Sequence, residues 1–246
     1  MLAEKPWAMN SVARLFLWIV ATYCVGMLPV SLLDRVTIWS KDERDFLQLL
    51  ASALISQVAV LVWIHFFLRQ HGSSWKEAFG WRPLEPVSVA AYGVLAGAVF
   101  LPVAFGLQWV CESLMVLAHS QPHAQAAVQA LQSPALTTGA KVAFGADAVL
   151  LAPLVEESLF RGILYTAIKQ LGYPRMALWG TSALFALLHF NEPTFVPLLA
   201  FGLLLARLYE GFGSLLAPVV AHSLFNAANF AILMFGDEFD RLFHAR

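Results

Sequence analysis

The sequence predicts an all-α protein, a polytopic bundle of about seven transmembrane helices with room for an eighth. Three observations lead there. Hydrophobic residues make up 59% of the 246-residue chain and charged residues 13%, against about 25% charged in an ordinary soluble domain. Mean hydropathy is +0.69. The apolar residues are gathered into runs long enough to cross a bilayer, for which a helix needs roughly 20 residues. Lipid is therefore the solvent for most of the surface. The formal net charge of −1 offers no basic face to nucleic acid. Cys24 and Cys111 lie inside apolar runs and form no CxxC, which argues against a disulfide framework or a cysteine metal site.

The runs fall at residues 11–33, 46–68, 87–118, 140–170, 175–191, 194–209 and 213–236. The first is followed by Asp34-Arg35 and by no small-residue cleavage site, so it reads as an anchor rather than a signal peptide. The third and fourth exceed one straight crossing. Tilt, a kink at Pro102 or Pro153, or extension beyond the bilayer must absorb the excess. Between the second and third runs, Ser74-Trp75-Lys76-Glu77 has capping-box spacing and Gly80 follows as a stop, which predicts a short interfacial helix near 74–80. The polar stretch 119–139 is the longest loop. The whole chain reads as one membrane domain.

Loop charge orients it. A cytoplasmic N-terminus places Lys5, Arg14, Arg69, Lys76, Arg82, Lys169, Arg175 and Arg207 inside. Arg35, Lys41, Arg44, Lys141, Arg241 and Arg246 then lie on the other side. The positive-inside rule favours that choice. The compact chain fits a bacterial inner membrane.

Ionisable side chains deep in a bilayer are costly and tend to mark function. Here they cluster in the second half: Asp147, Glu156, Glu157, Arg161, His189 and His222, with Asn226 as a polar companion. Glu157 and Arg161 are i and i+4 with the acid first, the favourable order for a helical ion pair. Glu156 lies about 100° away round the helix and is free to face something else. Phe185 with His189, and His222 with Asn226, repeat the i, i+4 spacing.

Depth adds to the pattern. Glu156 is 13 residues before Lys169, and His189 is 14 residues after Arg175. Both therefore stand roughly 20 Å from the turn between those two cations. Counted from Gly213, Asn226 comes at roughly 20 Å and His222 at roughly 14 Å. A carboxylate, two imidazoles and an amide reach a similar level on three helices. Taken singly, each polar residue is explicable as an interhelical hydrogen bond. Asp147 reads as a helix contact or a water-facing residue.

Other protease chemistries leave signatures that are missing here. His189 is followed by Phe190 and His222 by Ser223, so there is no HExxH. Only Asp147 is available for a paired-aspartate site, and no GxSx motif frames Ser158 or Ser182. Zinc held by Glu156, Glu157, His189 and His222 stays open as a second mechanism, because carboxylates and imidazoles suit that metal.

EExxxR at 156–161, FxxxH at 185–189 and HxxxN at 222–226, in that order on successive helices, resemble the CPBP family. That family groups the type II CAAX prenyl proteases with bacteriocin-processing and self-immunity proteins. The resemblance covers roughly residues 138–230, within a core at 138–236 that follows N-terminal membrane spans at 1–137. It implies an intramembrane glutamate-dependent endopeptidase acting on a membrane-associated or lipidated peptide, with no cofactor. It also implies roles: Glu156 as the base that activates water, His189 as its helper, and His222 with Asn226 as the oxyanion hole. Glu157, Arg161 and Phe185 would be supporting residues. A non-catalytic immunity or scaffold protein on the same fold is the alternative. A proton-coupled transporter finds no repeated pair of Gly/Pro-broken segments in matching halves.

Overall fold

The computed structural model describes residues 5–35, 38, 40–81, 85–123, 125–133 and 136–244. Arg82 and Arg246, counted above among the loop charges, lie outside them. Every regular element among the described residues is helical. The chain runs through α1 (Met9–Ser31), α2 (Lys41–Gln70), α3 (Trp75–Phe79), α4 (Pro86–Leu117) and α5 (Ala126–Leu131). The fourth apolar run, Thr138–Gln170, is a composite. It comprises α6 (Thr138–Ala146), a π-helical turn at Asp147–Leu151, α7 (Ala152–Glu157), a π-helical stretch at Ser158–Tyr165, and α8 (Thr166–Gln170). Then come α9 (Pro174–Leu187), α10 (Phe195–Phe212) and α11 (Leu216–His244).

Six stretches among the described residues are long and apolar enough to cross a membrane. They are Met9–Ser31, Glu43–Gln70, Pro86–Leu117, Thr138–Gln170, Phe195–Phe212 and Leu216–Phe235. Together they make this an integral membrane protein. The run expected at 175–191 is the exception: α9 has 14 residues, or roughly 21 Å against an apolar thickness of about 30 Å. Its sequence explains the early stop. His189, Asn191, Glu192 and Pro193 follow within six residues of Leu187, and a helix does not readily continue into a proline. Phe190 takes a left-handed φ of 47° there.

Non-helical backbone at membrane depth needs partners other than lipid, and the turn between α9 and α10 has them. The Asn191 side chain donates to His123 O at 2.8 Å and accepts from the Thr194 hydroxyl at 2.9 Å, while Gln125 donates to Thr194 at 3.3 Å. The segment after α4 thus covers the turn. The stretch expected only as a polar loop also carries α5, whose Leu131 is buried with Phe46 and Leu136.

Two contacts place α11. On α4, Gly93 and Gly97 form a GxxxG face against α11, where a Cβ at Gly93 would stand 2.6 Å from Ala217 O and one at Gly97 3.0 Å from Ala221 O. Such close backbone approach requires glycine. At its start, Leu215 N donates to Phe79 O at 2.9 Å. The short helix α3 carries the expected capping box between Ser74 and Glu77, but Ala78 and Phe79 are fully buried in the bundle. At the far ends of α8 and α10, Lys169 and Arg207 both pair with Glu210, so these two cations share one end of the molecule.

Candidate active site

Glu156 and Glu157 end α7, and their side chains diverge as neighbours on a helix must. Glu157 points into the bundle and is wholly buried. Its Oε1 accepts from Arg161 Nη1 at 2.9 Å and lies 2.9 Å from His222 Nδ1. Arg161, itself 1% exposed, donates from Nη2 to Gly202 O at 3.1 Å and stacks its guanidinium 4.6 Å from the Phe185 ring centroid. A buried ion pair survives desolvation only when extra hydrogen bonds satisfy what the pair leaves over. Here α10 supplies the carbonyl, α9 the aromatic face and α11 the imidazole, while Glu157 Oε2 and Arg161 Nε stay buried without a hydrogen-bond partner.

Glu156 faces a different way. Its side chain is 32% exposed, and its Oε2 stands 3.9 Å from His222 Nε2. That oxygen is buried without a hydrogen-bond partner. His222 is consequently set between two carboxylates, one on each ring nitrogen.

The Glu157 contact decides the histidine's proton. Beside a carboxylate already held by Arg161, His222 Nδ1 is the donor, which assigns the Nδ1–H tautomer. When neutral, His222 then offers a lone pair at Nε2 towards Glu156, and it donates from Nε2 only when doubly protonated. Its ring is clamped edge-on by Phe185 at 5.7 Å and Phe201 at 5.5 Å.

His189 follows the last turn of α9. Its Nδ1 lies 2.8 Å from Phe185 O, so Nδ1 donates there and Nε2 is an acceptor in the neutral ring. The imidazole packs against Phe185 at 4.8 Å. It therefore joins the group through Phe185, which also touches Arg161 and His222.

Asn226 donates from Nδ2 to Ala148 O at 2.7 Å. One of its two amide hydrogens is thus committed to the π-helical turn. Asp147, which opens that turn, is buried and accepts from Gln57 Nε2 of α2 at 3.1 Å. It is a helix contact. Ser158 and Ser182 are both buried with their hydroxyl oxygens unpartnered. Among the described residues no three His, Cys, Asp or Glu side chains are grouped as a metal site requires.

Residues 138–228 match the family model for the Rce1-like type II CAAX prenyl endopeptidases. The match covers 91 of the 246 residues. No curated protein and no solved structure matches the chain. The matched stretch begins at α6 and ends just past Asn226, so it contains all seven of Glu156, Glu157, Arg161, Phe185, His189, His222 and Asn226. The N-terminal helices contribute from outside it, through Gln57 on Asp147 and through Gly93 and Gly97 against α11.

Several parts of this site went unread in the sequence. Gly202 O and the Phe201 ring belong to α10, where no polar side chain marks them. Gly93 and Gly97 were legible as GxxxG, although nothing named α11 as their partner. The π-helical segments on both sides of Glu156-Glu157 left no pattern, yet such bulges gather at functional sites.

Proposed function

We propose that the protein is an intramembrane endopeptidase that hydrolyses a peptide bond in a membrane-associated or lipid-bearing substrate, with Glu156 as the base. The observation that carries this reading is the asymmetry of the two carboxylates about His222. Glu157 is neutralised by Arg161 and holds the imidazole. Each carboxylate leaves its Oε2 without a hydrogen-bond partner, but Glu156 has no guanidinium paired to it and its side chain is partly open. The first is built to position, the second to react.

In the proposed reaction Glu156 takes a proton from water as the water oxygen attacks the scissile carbonyl carbon. His189, with a lone pair at Nε2, accepts from the same water and orients it. The carbonyl oxygen becomes an oxyanion facing two donors, the doubly protonated His222 at Nε2 and the uncommitted N–H of Asn226. When the C–N bond breaks, the proton held by Glu156 passes to the leaving amine. No metal takes part in this scheme. The family match supports a protease; the residue roles, a lipidated substrate, a bacterial inner membrane and a cytoplasmic N-terminus belong to the proposal.

One observation favours a second reading. Asn226 is engaged with Ala148 O, as an interhelical tie in a non-catalytic scaffold would be. Comparison of peptide termini in membranes carrying wild type or Glu156→Gln at matched levels separates the two. Termini lost in the variant establish proteolysis and name the substrate. Identical profiles, under conditions where the protein has a phenotype, favour the scaffold. Zinc is tested in parallel: stoichiometric metal in purified protein, with cleavage lost to chelator and restored by zinc, would replace the metal-free scheme.

A further inference from the structure

The hydrogen bond from Asn226 to Ala148 O exists because Ala148 O has no donor of its own. In an α-helix the carbonyl of residue 148 would accept from the N–H of residue 152. Here the Ala152 N–H is taken by Asp147 O, one residue further back, as the π-helical turn dictates. The next donor in a π-helical ladder is residue 153. That residue is proline, buried at the first turn of α7, and it has no N–H. A carbonyl left without a partner away from water costs free energy. Asn226, arriving from α11, supplies the missing donor at 2.7 Å.

We propose that Pro153 is a positioning residue for Asn226. By leaving Ala148 O vacant it fixes one N–H of the Asn226 amide, and so fixes the plane in which the second N–H points. The Gln57–Asp147 hydrogen bond pins the first residue of the same turn from α2. The orientation of an oxyanion donor is thereby set in the backbone of the helix that carries Glu156. This inference rests on the oxyanion role proposed for Asn226, but the link between Pro153 and Asn226 is measurable without it.

The test is a double-mutant cycle on the full-length protein, with Pro153→Ala, Asn226→Ala and both together. Thermal unfolding is read first. Asn226→Ala should lower the unfolding midpoint by roughly 2–8 °C, the effect of one unpaired buried carbonyl. In the Pro153→Ala background that loss should largely vanish, because residue 153 now has an N–H. Pro153→Ala alone should fold at least as well as wild type, since alanine is the better helix former. Asn226→Leu, similar in size but with neither donor nor charge, should repeat the loss and be relieved in the same way. Equal losses in both backgrounds, or a Pro153→Ala protein that does not fold, would overturn the proposal.

Turnover of the peptide whose cleavage depends on Glu156 is the second readout. Pro153→Ala should lower kcat by roughly tenfold to a hundredfold with KM unchanged, as expected of a misplaced catalytic group. It should have no further effect once Asn226 is alanine. Wild-type kcat in Pro153→Ala with a slow Asn226→Ala would defeat the positioning role while leaving the oxyanion assignment intact. Full activity in Asn226→Ala would defeat that assignment instead, and the unfolding cycle would still decide whether the two residues are coupled.

Discussion

His222 donates from Nδ1 to Glu157 Oε1 at 2.9 Å and turns Nε2 towards Glu156 at 3.9 Å. The two adjacent glutamates therefore predict opposite phenotypes. Glu156→Gln removes the proposed base and should slow cleavage by roughly 10²–10⁴-fold. It should leave the unfolding midpoint near wild type, because Glu156 Oε2 has no partner to lose. Glu157→Gln keeps an acceptor for His222 but strands a buried guanidinium, and should cost about 3–5 kcal/mol of stability. Activity and thermal unfolding of the two variants check this directly. Comparable destabilisation by both would show that Glu156 is as structural as its neighbour.

Arg161 gives a sharper form of the same argument. Arg161→Leu alone leaves Glu157 buried with only His222 to answer it, and should be among the most destabilising single changes in the bundle. Replacing Glu157 and Arg161 together by leucine and methionine should recover much of the loss, since hydrophobic exchange of a buried pair is often close to neutral. The double variant should stay inactive, however, because His222 no longer has its Nδ1 acceptor. Stability that recovers together with activity would mean that Glu157 does not position His222.

How far the sequence foretold this arrangement depends on what each feature needs. The all-helical fold follows from hydropathy and was legible, and six of the seven expected runs are long and apolar enough to cross a membrane. The Glu157–Arg161 pair is local, four residues apart on one helix, and was legible too. The end of α9 at Leu187 was legible only in part: Asn191, Glu192 and Pro193 signal a stop, but the apolar residues running on to Phe190 hide where the last turn falls. Which imidazole nitrogen of His222 carries the proton depends on Glu157, 65 residues away, and no one-dimensional pattern encodes that contact. The partner of Asn226 was hidden for a related reason. It is a backbone carbonyl, exposed by a shift in helical register, and backbone groups carry no signature in sequence.

Outside the membrane-spanning stretches, the α3 cap has a predictable pH response. The Ser74 hydroxyl and backbone N–H both donate to the Glu77 carboxylate, at 2.7 and 3.0 Å, and hold its pKa below the usual glutamate range, with Lys76 and Lys5 adding smaller attractions. A carboxyl with a depressed folded-state pKa stabilises above its unfolded value and loses that contribution as pH falls through the folded one. Protection of the amides in 74–80, with exchange rates divided into their intrinsic values at each pH, should therefore be high at neutral pH and fall below about pH 4. In Glu77→Gln the acid-induced change should disappear. An acid response that persists in that variant would place its origin elsewhere.

Close packing of α4 on α11 makes the last prediction, and Gly106 provides its control. A methyl group at Gly93 would meet Ala217 O at 2.6 Å, backbone that cannot rotate away. Gly93→Ala should thus push α11 outward, costing about 1–3 kcal/mol as overpacking does. Because α11 carries His222 and Asn226, turnover should fall more than the stability loss alone explains. Gly106, on the same helix, has nothing within 4 Å of its would-be Cβ. Gly106→Ala should therefore be neutral or stabilising by up to about 1 kcal/mol, with unchanged turnover. Measuring midpoints and kcat for both variants separates the two contributions. If Gly93→Ala lowered stability while kcat held, α11 would tolerate displacement and the GxxxG contact would serve folding alone.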